Sequence, residues 1–299
     1  MYKTDSTLDK WTKGISYEVA FWSNVYRWKH TFDGMMNWSH YGREICLEGF
    51  DANSFLAARE KPVVLDVGCG MSYATGNYIN HSGELLPLDI HYVDPLADYF
   101  NDILRRHHRQ LPAIEFGMME YLSSFYPEHD LDMIIIQNAL DHSANPCKGI
   151  IEAVDSLKTG GILYLNHHPN EAETEHYKGF HQYNIIDENG HLIIWNKNGR
   201  YDINELLTGF AETTVKSQEN GHVIAIICKT ADVQQQLLDI REDRQQLAKM
   251  LIDMSKSQRS IWKSIKLKVE YTTYNIIQFF AQALTWEMKM SLKKVIKQA

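Results

Sequence analysis

The chain has 299 residues, of which 44% are hydrophobic and 23% charged, ordinary proportions for a folded protein with a sizeable core. A formal net charge of −8 argues against nucleic acid as a partner of the whole molecule. No stretch reaches the ~18 uncharged apolar residues that a membrane-spanning helix requires. The charge is unevenly spread: residues 255–299 hold nine Lys/Arg against Glu270 and Glu287, a net +7 that leaves −15 for the first 254 residues. Cys46, Cys69, Cys147 and Cys228 are scattered, with no Cys-x-x-Cys pair, and read as reduced thiols. The polar start MYKTDSTLDKWTKG lacks the apolar run of a signal peptide, so a cytoplasmic location is expected.

In chain order, residues 1–60 read as a helical cap. Ile15, Val19, Trp22 and Tyr26 form one apolar stripe at helical spacing, and residues 51–60 suggest a second, short helix. From residue 61 short apolar runs at 63–67, 90–93, 113–116, 133–136 and 162–165 alternate with helix-compatible segments at 74–80, 96–109 and 146–157. This alternation predicts a doubly wound α/β domain over 61–230, with a mostly parallel sheet. After Pro169 it stops; 191–195 and 223–228 read as strands flanking a helix near 203–210, paired antiparallel at the sheet edge. Val233, Leu237, Ile240, Arg244, Leu247, Leu251, Met254, Gln258, Ile261 and Ile265 then follow at spacings of 4 and 3, a heptad seam that predicts a coiled-coil helix over 231–265. Residues 266–299 form a basic tail.

The chemistry concentrates in VVLDVGCGMS, residues 63–72, where a buried strand ends in Asp66-Val-Gly68-Cys69-Gly70. Glycine lets a ligand approach the backbone closely, and a helix starting after the loop would offer unpaired amides. The next strand closes on Asp94, 24 residues beyond Gly70, where a carboxylate accepts both hydroxyl protons of a ribose. The loop lacks the third glycine of the dinucleotide motif Gly-x-Gly-x-x-Gly, because Tyr73 stands there, which disfavours a hydride-transferring oxidoreductase.

These motifs resemble the class I methyltransferase superfamily. LDVGCG and Asp94 resemble its first two motifs, FGMMEYL its adenine-binding segment, LDMIIIQNALDH its fourth strand, and the Lys158-Thr-Gly-Gly161 turn before ILYLN its fifth. The resemblance covers 61–230 and implies a seven-stranded Rossmann-like sheet and S-adenosylmethionine as cofactor. It implies that Asp66, Gly68, Cys69, Gly70, Asp94, Met118, Met119, Glu120 and Asn138 line the cofactor site, with the two methionines against the base and Glu120 near its amine. A catalytically silent nucleotide fold is the blander alternative.

A hydroxyl acceptor must lose a proton as it is methylated. His142 stands just past the fourth strand, where a base is needed, with Asp141 beside it to orient it; equally, it is a histidine that packs under the cofactor without chemistry. His168 and His181, counted with His142 and Asp141 as candidate catalytic residues, belong to HHPNEAETEHYKGFHQY, a stretch too polar for core. It reads as a binding segment for a polyhydroxylated acceptor, as a solvated loop, or as a metal site. No tight His-x-His or His-x-x-x-His pair supports the last, and no metal is assigned. Tyr17, Trp22 and Trp28 line the cofactor entrance if the first helix closes over it, and otherwise pack as core.

In the tail, residues 271–286 are uncharged and flanked by lysines. An amphipathic helix with a basic rim suits an anionic membrane surface on the inner face of the cell membrane, and it equally suits a protein partner such as a glycosyltransferase. The heptads imply self-association. The stretches ALDHSANP and GFHQYN are loosely similar to methyltransferases of bacterial surface-polysaccharide synthesis. The expected reaction is O-methylation of a sugar hydroxyl on a lipid-linked glycan; a small-molecule or lipid acceptor, or a non-catalytic scaffold, are the alternatives.

Overall fold

The computed structural model describes residues 5–126, 130–234, 237–238, 268–269, 271–273 and 276. Helices α1 (Asp5–Val25), α2 (Lys29–Met36) and α3 (Ala52–Ala57) precede the sheet. Then come β1 (Val63–Val67), β2 (Tyr78–His81), β3 (Glu84–Pro87), β4 (Asp89–Asp94), α4 (Ala97–Arg106), β5 (Glu115–Phe116) and α5 (Leu122–Phe125). They are followed by β6 (Leu131–Gln137), α6 (Pro146–Ser156), β7 (Leu157–His167) and α7 (Glu171–Thr174). The last elements are β8 (Asn184–Glu188), β9 (His191–Asn196), β10 (Gly199–Asp202), α8 (Ile203–Leu206), β11 (Ala211–Ser217) and β12 (Val223–Lys229).

Seven strands form one sheet in the order β11-β12-β7-β6-β1-β4-β5. The pairs from β7 to β5 are parallel, as the strand–helix alternation requires, and β12 pairs antiparallel with both β7 and β11, so it alone runs against the other six strands. The run LDMIIIQ makes β6 central because six of its seven residues are buried, the pattern of a strand covered on both faces. Helix α6 starts cleanly: Pro146 sits in its first turn, and the Asn145 side chain caps it by accepting from the Lys148 amide at 3.1 Å. Strand β1 has β4 on one side and β6 on the other, so the crossovers diverge there. A crevice opens beyond the carboxyl ends of such strands.

Three expectations are corrected. Residues 74–80 are not a helix. Met71, Tyr73, Thr75 and Asn77 all turn into the core, a period of two, and a methyl group on Gly76 would lie 2.2 Å from the Glu44 carbonyl oxygen. After a turn at 71–72 and a left-handed Tyr73 (φ 46°), an irregular segment lying against Glu44 and Ile45 seats them, and it runs into the β2–β3 hairpin. The glycine loop therefore has no helix N-terminus behind it. Second, β9 and β12 do not pair: β9 is the middle strand of a separate sheet, β10-β9-β8, whereas β12 lies between β11 and β7. Both bury runs of consecutive aliphatics, Leu192–Ile194 and Val223–Ala225, so pairing is decided by which core each one meets. Third, Val233 is buried in the domain core, with Leu237 and Leu238 packed against it, so the first two seam positions serve this core. The rest of the predicted coiled coil lies outside the described residues, as does most of the tail. There, Tyr271 packs edge-on against Tyr17 and Phe21 of α1.

Helix α1 is fixed by aromatics. Trp11 stacks on Phe180 at 5.1 Å with the rings almost parallel, and its indole N–H donates to the His142 carbonyl at 2.9 Å. Gly14 makes room for this, since a methyl group there would sit 2.4 Å from the Phe180 ring. Alanine favours a helix over glycine by about 1 kcal/mol. Gly14→Ala is nonetheless expected to destabilise the protein by about 1–2 kcal/mol through overpacking, measured by denaturant unfolding.

Candidate functional site

A cleft of about 310 Å³ lies where the crevice is expected, beyond β1, β4 and β6. Its floor is the loop Gly68–Cys69–Gly70. Both glycines have positive φ (70° and 55°), and a methyl group on Gly68 would come within 2.5 Å of the Ala139 Cβ. The Gly68 amide donates to the Val93 carbonyl at 2.7 Å, which ties the loop to β4. Asp94, at the end of β4, accepts from the Gly70 amide at 3.2 Å and the Leu96 amide at 2.7 Å. Burial pushes its carboxyl up, and these two amides together with His142 hold it back to about 6. It faces the cleft ionised at neutral pH, with lone pairs left for ligand hydroxyls.

The opposite wall carries Met118, Met119 and Glu120 after β5, and Asn138, Ala139, His142 and Ser143 after β6. Asn138 has a left-handed backbone (φ 49°), which turns the chain sharply away from the strand. One Glu120 oxygen is held by the Ala144 and Asn145 amides at 2.6 and 3.0 Å, so this carboxylate also braces the loop before α6. Trp11, Glu18, Trp22 and Phe180 close the cleft from the side of α1.

Of the residues expected at the cofactor, Gly68, Cys69, Gly70, Asp94, Met118, Met119, Glu120 and Asn138 all line this cleft, and Asp66 does not. The Asp66 carboxylate lies beneath the loop and accepts from the Thr75 hydroxyl at 2.8 Å; burial lifts its pKa to about 7. It became a support because the irregular 71–77 segment brings Thr75 back over β1.

Past β6, the structure gathers Asp141, His142 and His181. Asp141 Oδ2 lies 2.8 Å from His181 Nδ1, which lies 3.0 Å from His142 Nε2. Burial pulls the His181 pKa down, but the Asp141 carboxylate more than reverses this, and the net direction is up. Burial likewise raises Asp141, and its histidine neighbours bring it below the usual carboxylate range. His168 is not part of this group. It is exposed, and its ring packs at 4.1 Å on His222, because the chain leaves β7 with His167 turned inward and the next side chain turned out. Tyr17 and Trp28 do not reach the cleft either: Tyr17 faces Tyr271, and Trp28 is exposed at the helix turn.

Sequence reasoning missed Trp11, Glu18 and Phe180. Glu18 carried a signal, since it sits four residues before Trp22 and three after Ile15, a charge inside an apolar helical stripe. It is 8% exposed and accepts from the Trp22 indole at 3.3 Å.

The cleft has features an adenosyl ligand would use: a left-handed glycine floor with no room for a side chain at Gly68, the Asp94 carboxylate and two methionines. Asp94→Ala is expected to weaken S-adenosylmethionine binding by about 10–100-fold, because hydrogen bonds to a charged group contribute about 1.5–3 kcal/mol. Asp66→Asn should change affinity less than about 3-fold, as calorimetry will read. Asp66 has a folded pKa above its unfolded value, so its contribution to stability is lost as pH rises from about 4 to 7, by up to about 4 kcal/mol. Unfolding curves at pH 5 and 8 should show a smaller difference for Asp66→Asn than for the wild type.

A family model of a methyltransferase domain matches residues 65–165. No curated protein matches the chain. Similar solved structures include the PH0226 protein from Pyrococcus horikoshii OT3, at 10% identity over 72% of this chain and 99% of that one, with a TM-score of 0.39. A S-adenosylmethionine-dependent methyltransferase from Clostridium acetobutylicum ATCC 824 is similar at 12% identity, 58% and 87% coverage and TM-score 0.35. CalS10 from Micromonospora echinaspora, an amino pentose methyltransferase involved in calicheamicin biosynthesis, is similar at 16% identity, 60% and 88% coverage and TM-score 0.36. The domain match over residues 65–165 and the ordered motifs around the cleft give this chain a class I methyltransferase domain with S-adenosylmethionine as its cofactor.

Proposed function

We propose that the enzyme methylates a hydroxyl group of a polyhydroxylated acceptor, a sugar of a lipid-linked or surface glycan. The observation that carries this reading is the Asp141–His181–His142 group at the edge of the cleft. A hydroxyl is a poor nucleophile until its proton is removed, and a strongly nucleophilic acceptor would need no such group. When bound, the cofactor supplies a methyl group on a positively charged sulfur that leaves with the bonding electrons. The protein's own part is to hold the acceptor in line and to assist the loss of its proton. Trp11 and Phe180 exclude water on one side, and His142 stands beside Asn138 on the other.

The sugar assignment draws on the rim. Beyond β7, residues 168–178 offer exposed Glu173, Glu175 and His176 within a few residues of Asn170 and Glu171, a surface rich in donors and acceptors with little apolar area. Placement at a membrane face draws on the tail, whose Val269 and Ile276 are exposed and which carries lysines on both sides. No helix among the described residues is long and apolar enough to cross a membrane. Tyr271 seats the start of that tail on α1, next to the wall of the cleft.

The test uses purified full-length protein, labelled S-adenosylmethionine and lipid-linked glycans. Label recovered in an O-methyl sugar after acid hydrolysis is the expected result. Cofactor binding without transfer to any hydroxyl acceptor would refute the proposal. His142→Ala should lower kcat by about 100-fold while leaving cofactor affinity within a few-fold. Near-normal turnover in that variant removes His142 from the chemistry.

A further inference from the structure

The corner of the molecule behind His142 has an unusual hydrogen-bonding deficit. Asp141 Oδ1, both ring nitrogens of His167 and Glu171 Oε2 are buried without a partner. Asp141 is 2% exposed, and leaving a carboxylate oxygen there unpaired costs stability unless something else is drawn to the charge. Its second oxygen belongs to a closed triangle. Oδ2 is 2.8 Å from His181 Nδ1 and 3.5 Å from His142 Nε2, and the two nitrogens are 3.0 Å apart.

One proton on His181 Nδ1 can be shared between Asp141 Oδ2 and a lone pair on His142 Nε2, but that leaves two lone-pair-bearing atoms 3.5 Å apart and Asp141 Oδ1 without a partner. Each imidazole nitrogen directs either one N–H or one lone pair along its ring axis. If His181 Nδ1 donates to Asp141, it presents a donor to His142 Nε2 and cannot accept from it. If it keeps a lone pair for His142, that lone pair meets the carboxylate at 2.8 Å. With both rings protonated, the 3.0 Å contact becomes donor against donor. One positive centre shared by the three atoms removes the conflict. Metal–ligand bonds of about 2.1 Å place neighbouring ligand atoms about 3.0 Å apart in an octahedron and about 3.4 Å apart in a tetrahedron. The three observed separations span that range.

We propose that Asp141 Oδ2, His142 Nε2 and His181 Nδ1 form a site for one divalent cation of the first transition row. Two imidazoles with one carboxylate suit Zn²⁺, Fe²⁺, Co²⁺, Ni²⁺ or Mn²⁺ rather than an all-oxygen Ca²⁺ site. The three atoms lie within 4.8 Å of one another. Asp141 is buried, whereas the His142 and His181 side chains are 29% and 21% exposed, so three protein ligands close one side and leave the other open. His142 also lines the cleft, which puts the open side towards the acceptor. A hydroxyl oxygen of the acceptor bound there would lose its proton to solvent water more readily, because the cation stabilises the alkoxide. This role deepens the hydroxyl-methylation reading and rests on it; cation binding does not. Sequence inspection names these residues as catalytic candidates and assigns no metal, because His181 lies 39 residues beyond His142 and meets it only after β7 and α7 have packed.

Co²⁺ is the probe. Full-length protein is stripped with a chelator, freed of it, and titrated by calorimetry and visible absorption. One equivalent of Co²⁺ with ligand-field bands is expected. His181→Gln and Asp141→Asn should each weaken binding by about 100-fold or more, while His176→Gln, an exposed histidine outside the triangle, should not. His181→Gln keeps the test valid if the buried Asp141 variant fails to fold. No Co²⁺ binding to stripped protein that still gives heat with S-adenosylmethionine overturns the site and leaves the methyltransferase intact. Binding that survives both ligand substitutions also overturns it, because the ion then belongs to another histidine. Co²⁺ binding that depends on both ligands, in protein that methylates no hydroxyl acceptor, supports the cation site and refutes only the acceptor reading.

Discussion

The space between Gly68 and Ala139 is the constraint on which the rest of this site depends. The two residues follow β1 and β6, and a single methyl group on Gly68 would collide with Ala139 at 2.5 Å. Because the loops meet backbone to side chain, the glycine floor and the Asn138–His142 segment stand on opposite sides of one narrow cleft. Asp94 is drawn in through the Gly70 amide, and Asn138 is anchored by its own amide on the Asn166 carbonyl at 2.8 Å. The glycine floor and the Asn138–His142 segment are thereby fixed to neighbouring strands of one sheet. That is the placement an in-line transfer needs.

The first helix completes this arrangement. Class I topology leaves the crevice open at its top, and here α1 covers it with Trp11, Glu18 and Trp22. The covering is not a loose flap. Trp11 is bound to the backbone of His142 and stacked on Phe180, two residues before Gln182, whose amide is in turn held by the Asp141 carbonyl at 3.1 Å. The wall over the cofactor and the cluster at the acceptor end therefore share one set of contacts. Movement of α1 alters both at once.

Buried carboxylates are unusually dense around the cleft, and they divide by how they are satisfied. Asp94 and Glu120 are held by backbone amides, and Asp66 by a hydroxyl. Each is a support whose position is fixed and whose cost is offset locally. Asp141 differs, since one of its oxygens is unpartnered and the other faces two imidazoles at once. A group left in that state is where function is to be sought, since stability alone would have removed it.

How much of this was legible follows from how local each signal is. The sequence determined the parallel sheet, because an all-apolar run such as Met133–Ile136 tolerates burial on both faces and little else. It determined the glycine floor and Asp94, whose chemistry is written in consecutive residues at strand ends. It misjudged residues 74–80, because single residues such as Ala74 and Asn80 are compatible with a helix, whereas the burial of Met71, Tyr73, Thr75 and Asn77 and the press of Gly76 on Glu44 are facts about neighbours. It placed Asp66 in the cofactor site and His168 in the catalytic group for the same reason: position along the chain does not say which way a side chain turns. Tertiary structure alone decided that Phe180 would meet Trp11 and that His181 would join Asp141 and His142, because contacts between residues 39 or more apart exist only after the intervening strands have packed.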